Sequence, residues 1–228
     1  MIRGIFFDAA GVFYDRKETT GTFARRRLVE LGYPPELSKE NNARKKELHL
    51  LATEGRLSHE TYWDQVLALH RVDDLTLRAK LRKEILDHTF DVFAYPGGKE
   101  ALAGLGARGY RLGIVTDTIY PFDWKMAWLE KVGVAQYIDV IACSSALGAH
   151  KPEPEMYLNA LEQAGLKPAQ AAFVGHDAGE LKGARQAGLA TVAVNYDPEA
   201  KADYYAGSLA GLLDLPIFQL LQVHVESL

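Results

Sequence analysis

Five short apolar runs, each followed by a turn, constrain this chain more than anything else in its sequence. They occupy residues 2–7, 111–116, 138–143, 171–175 and 190–195. From residue 97 onward they alternate with amphipathic helical patterns at 99–106, 122–132, 154–164 and 180–187. Continuous apolar runs suit strands buried on both faces. Strand–helix alternation with short connections predicts a parallel sheet covered by helices on both sides. Gly133, Gly165 and Gly188 stand where such helices are expected to end. The expected fold is α/β, a doubly wound and mostly parallel sheet.

Residues 16–91 break that rhythm. They hold four helical patterns, at 22–31, 39–53, 59–70 and 75–88, and no strand-like run. Ser58, with Thr61 and Tyr62 after it, reads as a helix entry. Tyr95-Pro96-Gly97-Gly98 punctuates the return to the alternating pattern. The expected organisation is a core domain of residues 1–15 and 92–228 with an all-helical domain, 16–91, inserted after the first strand.

Charge and cysteine content exclude several function classes. Lys and Arg number 26 against 30 Asp and Glu, a formal net charge of -4, and no basic stripe marks a nucleic-acid footprint. The runs Arg25-Arg26-Arg27 and Arg44-Lys45-Lys46 fall in helical patterns and read as solvated helix faces. Cys143 is the only cysteine, so no intramolecular disulfide forms, which fits a reducing compartment. Its apolar neighbours make it a buried strand thiol. The chain opens on a strand-like run too short for a signal peptide or a membrane span. A cytoplasmic protein acting on a small anionic molecule is expected, with no nucleic-acid or membrane partner. The sequence says nothing about oligomeric state.

In a doubly wound sheet, the loops after the strands converge on one ligand site. Here those loops carry Asp8, then Thr116-Asp117-Thr118, then Lys151-Pro152-Glu153-Pro154, then Gly175-His176-Asp177-Ala178-Gly179-Glu180. A carboxylate at the end of a first buried strand is placed to act as a nucleophile, and Gly11 allows the sharp turn that exposes it. Phosphoryl transfer needs a nucleophile, a cation and hydrogen-bond donors around the reacting oxygens. Asp8, Lys151 and Thr116 supply one of each. Pro152 and Pro154 fix the loop that presents Lys151.

Taken in order, these four segments resemble the haloacid dehalogenase superfamily of hydrolases, and residues 16–91 resemble its small helical cap. Val115-Thr116-Asp117 is similar to the second motif, Lys151 to Tyr157 (KPEPEMY) to the third, and Phe173-Val174-Gly175 with Gly183 to Gly188 to the fourth. The resemblance implies an aspartyl intermediate on Asp8, with Thr116 binding an oxyanion and Lys151 neutralising the transferring group. It also implies substrate contacts from Gly11, Asp117, Tyr157 and Arg44, the last as a cap arginine. Magnesium would be held by Asp8, the Ala10 carbonyl and Glu180, with Asp177 in partial compensation.

Three positions depart from the phosphatases of that family. Ala10 stands where a second Asp protonates the leaving alcohol, Val12 replaces a hydroxyl residue, and His176 replaces an Asp that binds magnesium. Magnesium prefers oxygen ligands, so weakened binding is expected. Loss of a general acid costs least when the leaving group departs unprotonated. The sequence therefore supports three readings. The first is a hydrolase of small phosphorylated or activated phosphate substrates. The second is a degenerate member that binds without turnover. The third is 2-haloacid dehalogenase or phosphonoacetaldehyde hydrolase chemistry, where Lys45 or Lys46 would form a Schiff base.

Overall fold

Alternation along the first strand decides where the sheet lies. Residues 4–7 are all buried, but Ile5 and Phe7 join one hydrophobic cluster while Phe6 joins another. Side chains on successive strand residues point to opposite faces, so both faces of the sheet must be covered. The computed structural model describes residues 1–219. Its strands are β1 (Gly4–Phe7), β2 (Tyr14–Arg16), β3 (Val92–Ala94), β4 (Arg111–Thr116), β5 (Val140–Cys143), β6 (Ala171–Gly175), β7 (Ala190–Val194) and β8 (Tyr204–Ala206). Six of them form one sheet in the order β5-β4-β1-β6-β7-β8, parallel throughout. The expected doubly wound α/β architecture is present. The order changes direction at β1, which puts its C-terminal end at the switch point where such sheets bind ligands.

Helices α1 (Thr20–Glu30), α2 (Lys39–Thr53), α3 (His59–Leu69) and α4 (Leu75–His88) fall between β2 and β3. Each begins with a side-chain cap, from Thr19, Ser38, Ser58 and Asp74 respectively. Such caps are worth about 1 kcal/mol apiece. The four helices gather their own apolar cluster, including Leu28, Leu48, Trp63, Leu67, Leu81 and Ile85. The segments entering and leaving them pair as an antiparallel ribbon, β2 with β3. Arg16 ties the same two segments together by donating to the Thr89 carbonyl from Nε at 2.8 Å and Nη2 at 2.6 Å. This ribbon and β8 are three residues per strand, too short to leave a periodic signal in the sequence.

The remaining helices are α5 (Gly98–Ala107), α6 (Phe122–Lys131), α7 (Ser144–Leu147), α8 (Pro154–Ala164) and α9 (Ala178–Gln186). The helical insertion meets the core at an aromatic seam. Trp63 of α3 donates from Nε1 to the Tyr120 hydroxyl at 3.2 Å, and His59 packs edge-on against Trp124 of α6. No helix among the described residues is long and apolar enough to cross a membrane.

Candidate active site

Parallel register places the site. Phe7 pairs with Ile114 on one side and Val174 on the other, so Asp8 emerges from β1 between the ends of β4 and β6. Its amide still donates to the Val174 carbonyl at 2.9 Å, which fixes the backbone, and its carboxylate is buried. Lys151, on the loop between α7 and α8, donates from Nζ to Asp8 Oδ1 at 2.5 Å. The same ammonium lies 2.8 Å from Glu180 Oε1, on the first turn of α9. His176 Nε2 stands 3.6 Å from the other oxygen of Asp8, Oδ2. The Asp8 carboxylate is thus flanked by the Lys151 ammonium and the His176 imidazole, and a second carboxylate shares the ammonium.

These contacts set the protonation states. Burial pushes the Asp8 carboxyl upward, but Lys151 and His176 outweigh it and hold the group below the usual carboxylate range. Burial pushes Lys151 the other way, and Asp8, Glu180 and Asp117 more than restore its charge. Contact with Asp8 raises His176 above the usual imidazole value against the effect of burial. Glu180 is pushed up to about 7 by burial and by the Asp8 charge, with Lys151 opposing. Its Oε2 is buried and has no hydrogen-bond partner among the described residues.

Gly11 makes the His176 contact feasible. Its φ is +76°, and a Cβ there would lie 2.4 Å from His176 Nε2. The turn expected at Gly11 is present, but its amide donates to the Tyr14 carbonyl at 2.9 Å and is not free for substrate. Thr116 is buried at the end of β4, two residues beyond the Phe7 pairing partner.

Several expected substrate contacts hold the frame instead. Both carboxylate oxygens of Asp117 accept from the Lys151 amide, at 3.1 and 3.2 Å, and burial raises that carboxyl above its ordinary value. Tyr157 is packed edge-on against Phe173, and its hydroxyl donates to the Glu180 carbonyl at 2.8 Å. It positions α9 and does not reach the cleft. Arg44 is exposed and paired with Glu47 at 2.7 Å, while its neighbours Lys45, Lys46 and His49 line the cavity between the insertion and the core. Asp177 caps α9, accepting from the Gly179 and Glu180 amides at 2.7 and 3.0 Å. That is the usual work of an aspartate at this position.

Between the insertion and the core lies a cavity of about 780 Å³. Ala10 and Asp117 line it on the side of Asp8, and Lys45, His49 and Trp63 line it from the insertion. Lys125 of α6, which the sequence reading passed over, also lines this cavity and is buried. A signal existed: Lys125 precedes the apolar Trp128 and Leu129 by three and four residues, so it sits on the buried face of its helix.

Comparison with known proteins identifies the family. The family model described as haloacid dehalogenase-like hydrolase matches residues 5–194. The chain belongs to that family. It is 26% identical over 202 residues to a glyceraldehyde 3-phosphate phosphatase from Methanopyrus kandleri, covering 85% of this chain and 84% of that protein. It is 32% identical over 102 residues to a phosphoglycolate phosphatase from Nitrosococcus oceani, covering 45% and 44% of the two. In fold it is similar to a HAD phosphatase from Thermococcus onnurineus, with TM-score 0.65, 24% identity, and coverage of 93% of this chain and 97% of that one. It is equally similar in fold to the L-2-haloacid dehalogenase of Xanthobacter autotrophicus, with TM-score 0.65, 19% identity, and coverage of 94% and 98%.

Membership of this hydrolase family raises the question of magnesium, and the donors present do not fit it. Asp8 has Lys151 on one oxygen and His176 facing the other. Glu180 spends Oε1 on Lys151 and keeps only Oε2 free among the described residues, and Asp177 spends Oδ1 on its helix. Among the described residues no three His, Cys, Asp or Glu side chains converge closely enough to hold a metal ion. A hard cation that demands near-octahedral oxygen ligands finds one free carboxylate oxygen on Glu180 and the nitrogens of Lys151 and His176 against Asp8.

Proposed function

We propose that this hydrolase works through a covalent intermediate on Asp8 and takes a small activated phosphate, such as an acyl or aryl phosphate, under a helical cap formed by residues 16–91. The observation that carries this reading is the ionised Asp8 carboxylate held between Lys151 and His176. An oriented carboxylate attacks phosphorus, and the bond to the leaving oxygen breaks with its electron pair. Lys151, His176 and the Thr116 hydroxyl oppose the charge on the transferring group. Ala10 offers only a methyl group toward the leaving oxygen, so the leaving group must depart as a stable anion. Glu180 then accepts a proton from the water that cleaves the aspartyl phosphate, since a carboxyl poised at about 7 exchanges protons readily near neutrality.

A second reading is favoured by the same methyl group together with the unfit metal donors. Displacement of halide from carbon needs neither an acid nor a metal, and Asp8 would form an ester in place of an acyl phosphate. One experiment separates the readings. The enzyme is assayed with acetyl phosphate, 4-nitrophenyl phosphate and 2-chloropropionate in ¹⁸O-labelled water, with magnesium or a chelator, and the Asp8 peptide is weighed by mass spectrometry. Phosphate release without label in Asp8 supports attack of water on phosphorus. Label in Asp8 with halide release supports an ester opened at its carbonyl. Turnover of none of the three, with Asp8 unmodified, overturns both and leaves a binding protein.

A further inference from the structure

Lys125 is 2% exposed, and no carboxylate pairs with it among the described residues. Its Nζ donates to the Tyr14 hydroxyl at 3.0 Å and reaches the Asp117 carbonyl only at 3.5 Å. The acidic groups nearest along the cavity wall are committed elsewhere. The Asp117 carboxylate holds the Lys151 amide, and Asp15 accepts from its neighbour's amide at 2.7 Å and from Tyr95 at 3.4 Å. Two aromatic rings partly shield the charge, with Nζ 5.7 Å from the Tyr14 centroid and 5.4 Å from that of Trp128. Asp8 interacts with this ammonium through space but makes no ion pair with it, and an ammonium buried without a contacting anion is costly, a cost that cation–π contact offsets only in part.

A second polar group beside it is also without a partner. Trp128 lines the same cavity, is as buried as Lys125, and its Nε1–H has no acceptor among the described residues. The Tyr14 hydroxyl accepts from Lys125 and keeps its own proton free to donate. Three donors, of which only the Lys125 ammonium has a protein acceptor among the described residues, therefore border one cavity whose wall also carries the rings of Trp63 and Tyr120, the cations Arg16, Lys45 and Lys46, and the carboxylates Asp15 and Asp117.

We infer that this cavity receives a second anionic group of the substrate, a carboxylate carried on an apolar or aromatic body, with Lys125 as its counter-ion and Trp128 Nε1–H and Tyr14 O–H as flanking donors. The inference rests on the hydrolase reading only for what happens at Asp8. The rings bury the body of the molecule and exclude water, which strengthens the charge-assisted bonds at its end. A neutral amide of the same shape leaves the ammonium unpaired, and a site built for a charge rejects such an isostere strongly. Specificity thus comes from the core helix α6 and the strand-end ribbon as well as from the insertion.

Binding and turnover test this separately. Calorimetry with benzoate and benzamide on the full chain reads the cavity without any chemistry. Wild type binds benzoate at least about tenfold more tightly than benzamide. Lys125→Met abolishes that preference, while Trp128→Phe and Tyr14→Phe each reduce it and leave the charge in place. Lys125→Met melts no lower than wild type, because it removes an uncompensated charge and keeps the packing. In kinetics, Lys125→Met reduces the preference for 4-carboxyphenyl over 4-carbamoylphenyl phosphate, read as the ratio of kcat/KM, by at least about tenfold. No measurable benzoate binding, equal affinity for benzoate and benzamide, or a preference that survives in all three variants overturns the inference. A benzoate preference lost in Lys125→Met, in a protein that hydrolyses neither ester, overturns the hydrolase reading and leaves the anion receptor standing.

Discussion

Lys151 and Lys125 are both buried lysines, yet they occupy opposite kinds of surroundings. Lys151 sits among Asp8, Glu180 and Asp117, with an ion pair on two of its protons. Lys125 sits among two rings, the Tyr14 hydroxyl and the Asp117 carbonyl, with no ion pair among the described residues. The first region is complete in itself: its charges hold one another in a fixed geometry, as a preorganised reaction centre requires. The second is complete only with something bound. A buried cation stabilises the fold where its partner is built in, and costs stability where the partner must come from outside.

Four experiments sharpen or break that contrast. The largest effect is expected at the nucleophile. Asp8→Asn should reduce turnover of any activated substrate to background, since an amide neither attacks nor carries charge. Retention of full activity in a steady-state assay would remove the covalent mechanism. The same variant should fold, because Lys151 keeps Glu180 as a partner.

Replacing each lysine by Met should move stability in opposite directions. Lys151→Met leaves Asp8 and Glu180 facing each other without their shared cation and should cost roughly 3–5 kcal/mol in denaturant unfolding. Lys125→Met replaces a charge without a carboxylate partner by an isosteric apolar chain and should be neutral or stabilising by about 1 kcal/mol. Equal losses in both variants would erase the distinction between the two regions.

Acid–base behaviour at the site provides a third comparison. The folded state holds a proton on Glu180 more tightly than the unfolded chain, at about 7 against a model value of 4.5. The sign follows: this contribution to stability is fully present below 4.5 and is lost as pH rises to about 7. His176, also raised, loses its contribution in the same sense, as pH climbs through its folded-state value. Asp8 acts oppositely, since its lowered value gives stability that disappears on strong acidification. Unfolding curves measured across this range should therefore fall by roughly 1–3 kcal/mol toward neutrality, and Glu180→Gln should flatten them. A profile identical in the variant would show that Glu180 is not the group concerned.

The smallest expected signal is that of magnesium. Calorimetry of the wild type in neutral buffer should give a dissociation constant of about 1 mM or weaker, because the oxygens of Asp8 already face the Lys151 and His176 nitrogens. Ala10→Asp with His176→Asp should tighten it and add magnesium dependence to alkyl phosphate hydrolysis. Micromolar affinity in the wild type would mean that the His176 side chain swings away from Asp8.

The sequence by itself determined the layers. Runs such as Ile5-Phe6-Phe7 and Thr191-Val192-Ala193 can be satisfied only inside a sheet covered on both faces, so the parallel core followed from local composition. The insertion helices were legible for the same reason, since their caps and apolar stripes are local signals. So were Asp8 and Lys151, which are placed by the strand ends that precede them. What the tertiary structure alone decided was pairing. That His176 faces Asp8, that Tyr157 and Asp117 hold the frame, and that Arg44 points to solvent while Lys125 does not, are facts about which elements meet. Charge pairing depends on distances between residues far apart in the chain, and no local periodicity encodes them. Ala10 and His176 read in sequence as losses from a motif. In three dimensions His176 faces Asp8 Oδ2 at 3.6 Å, and on the proposed mechanism the consequence of Ala10 is a constraint on the leaving group.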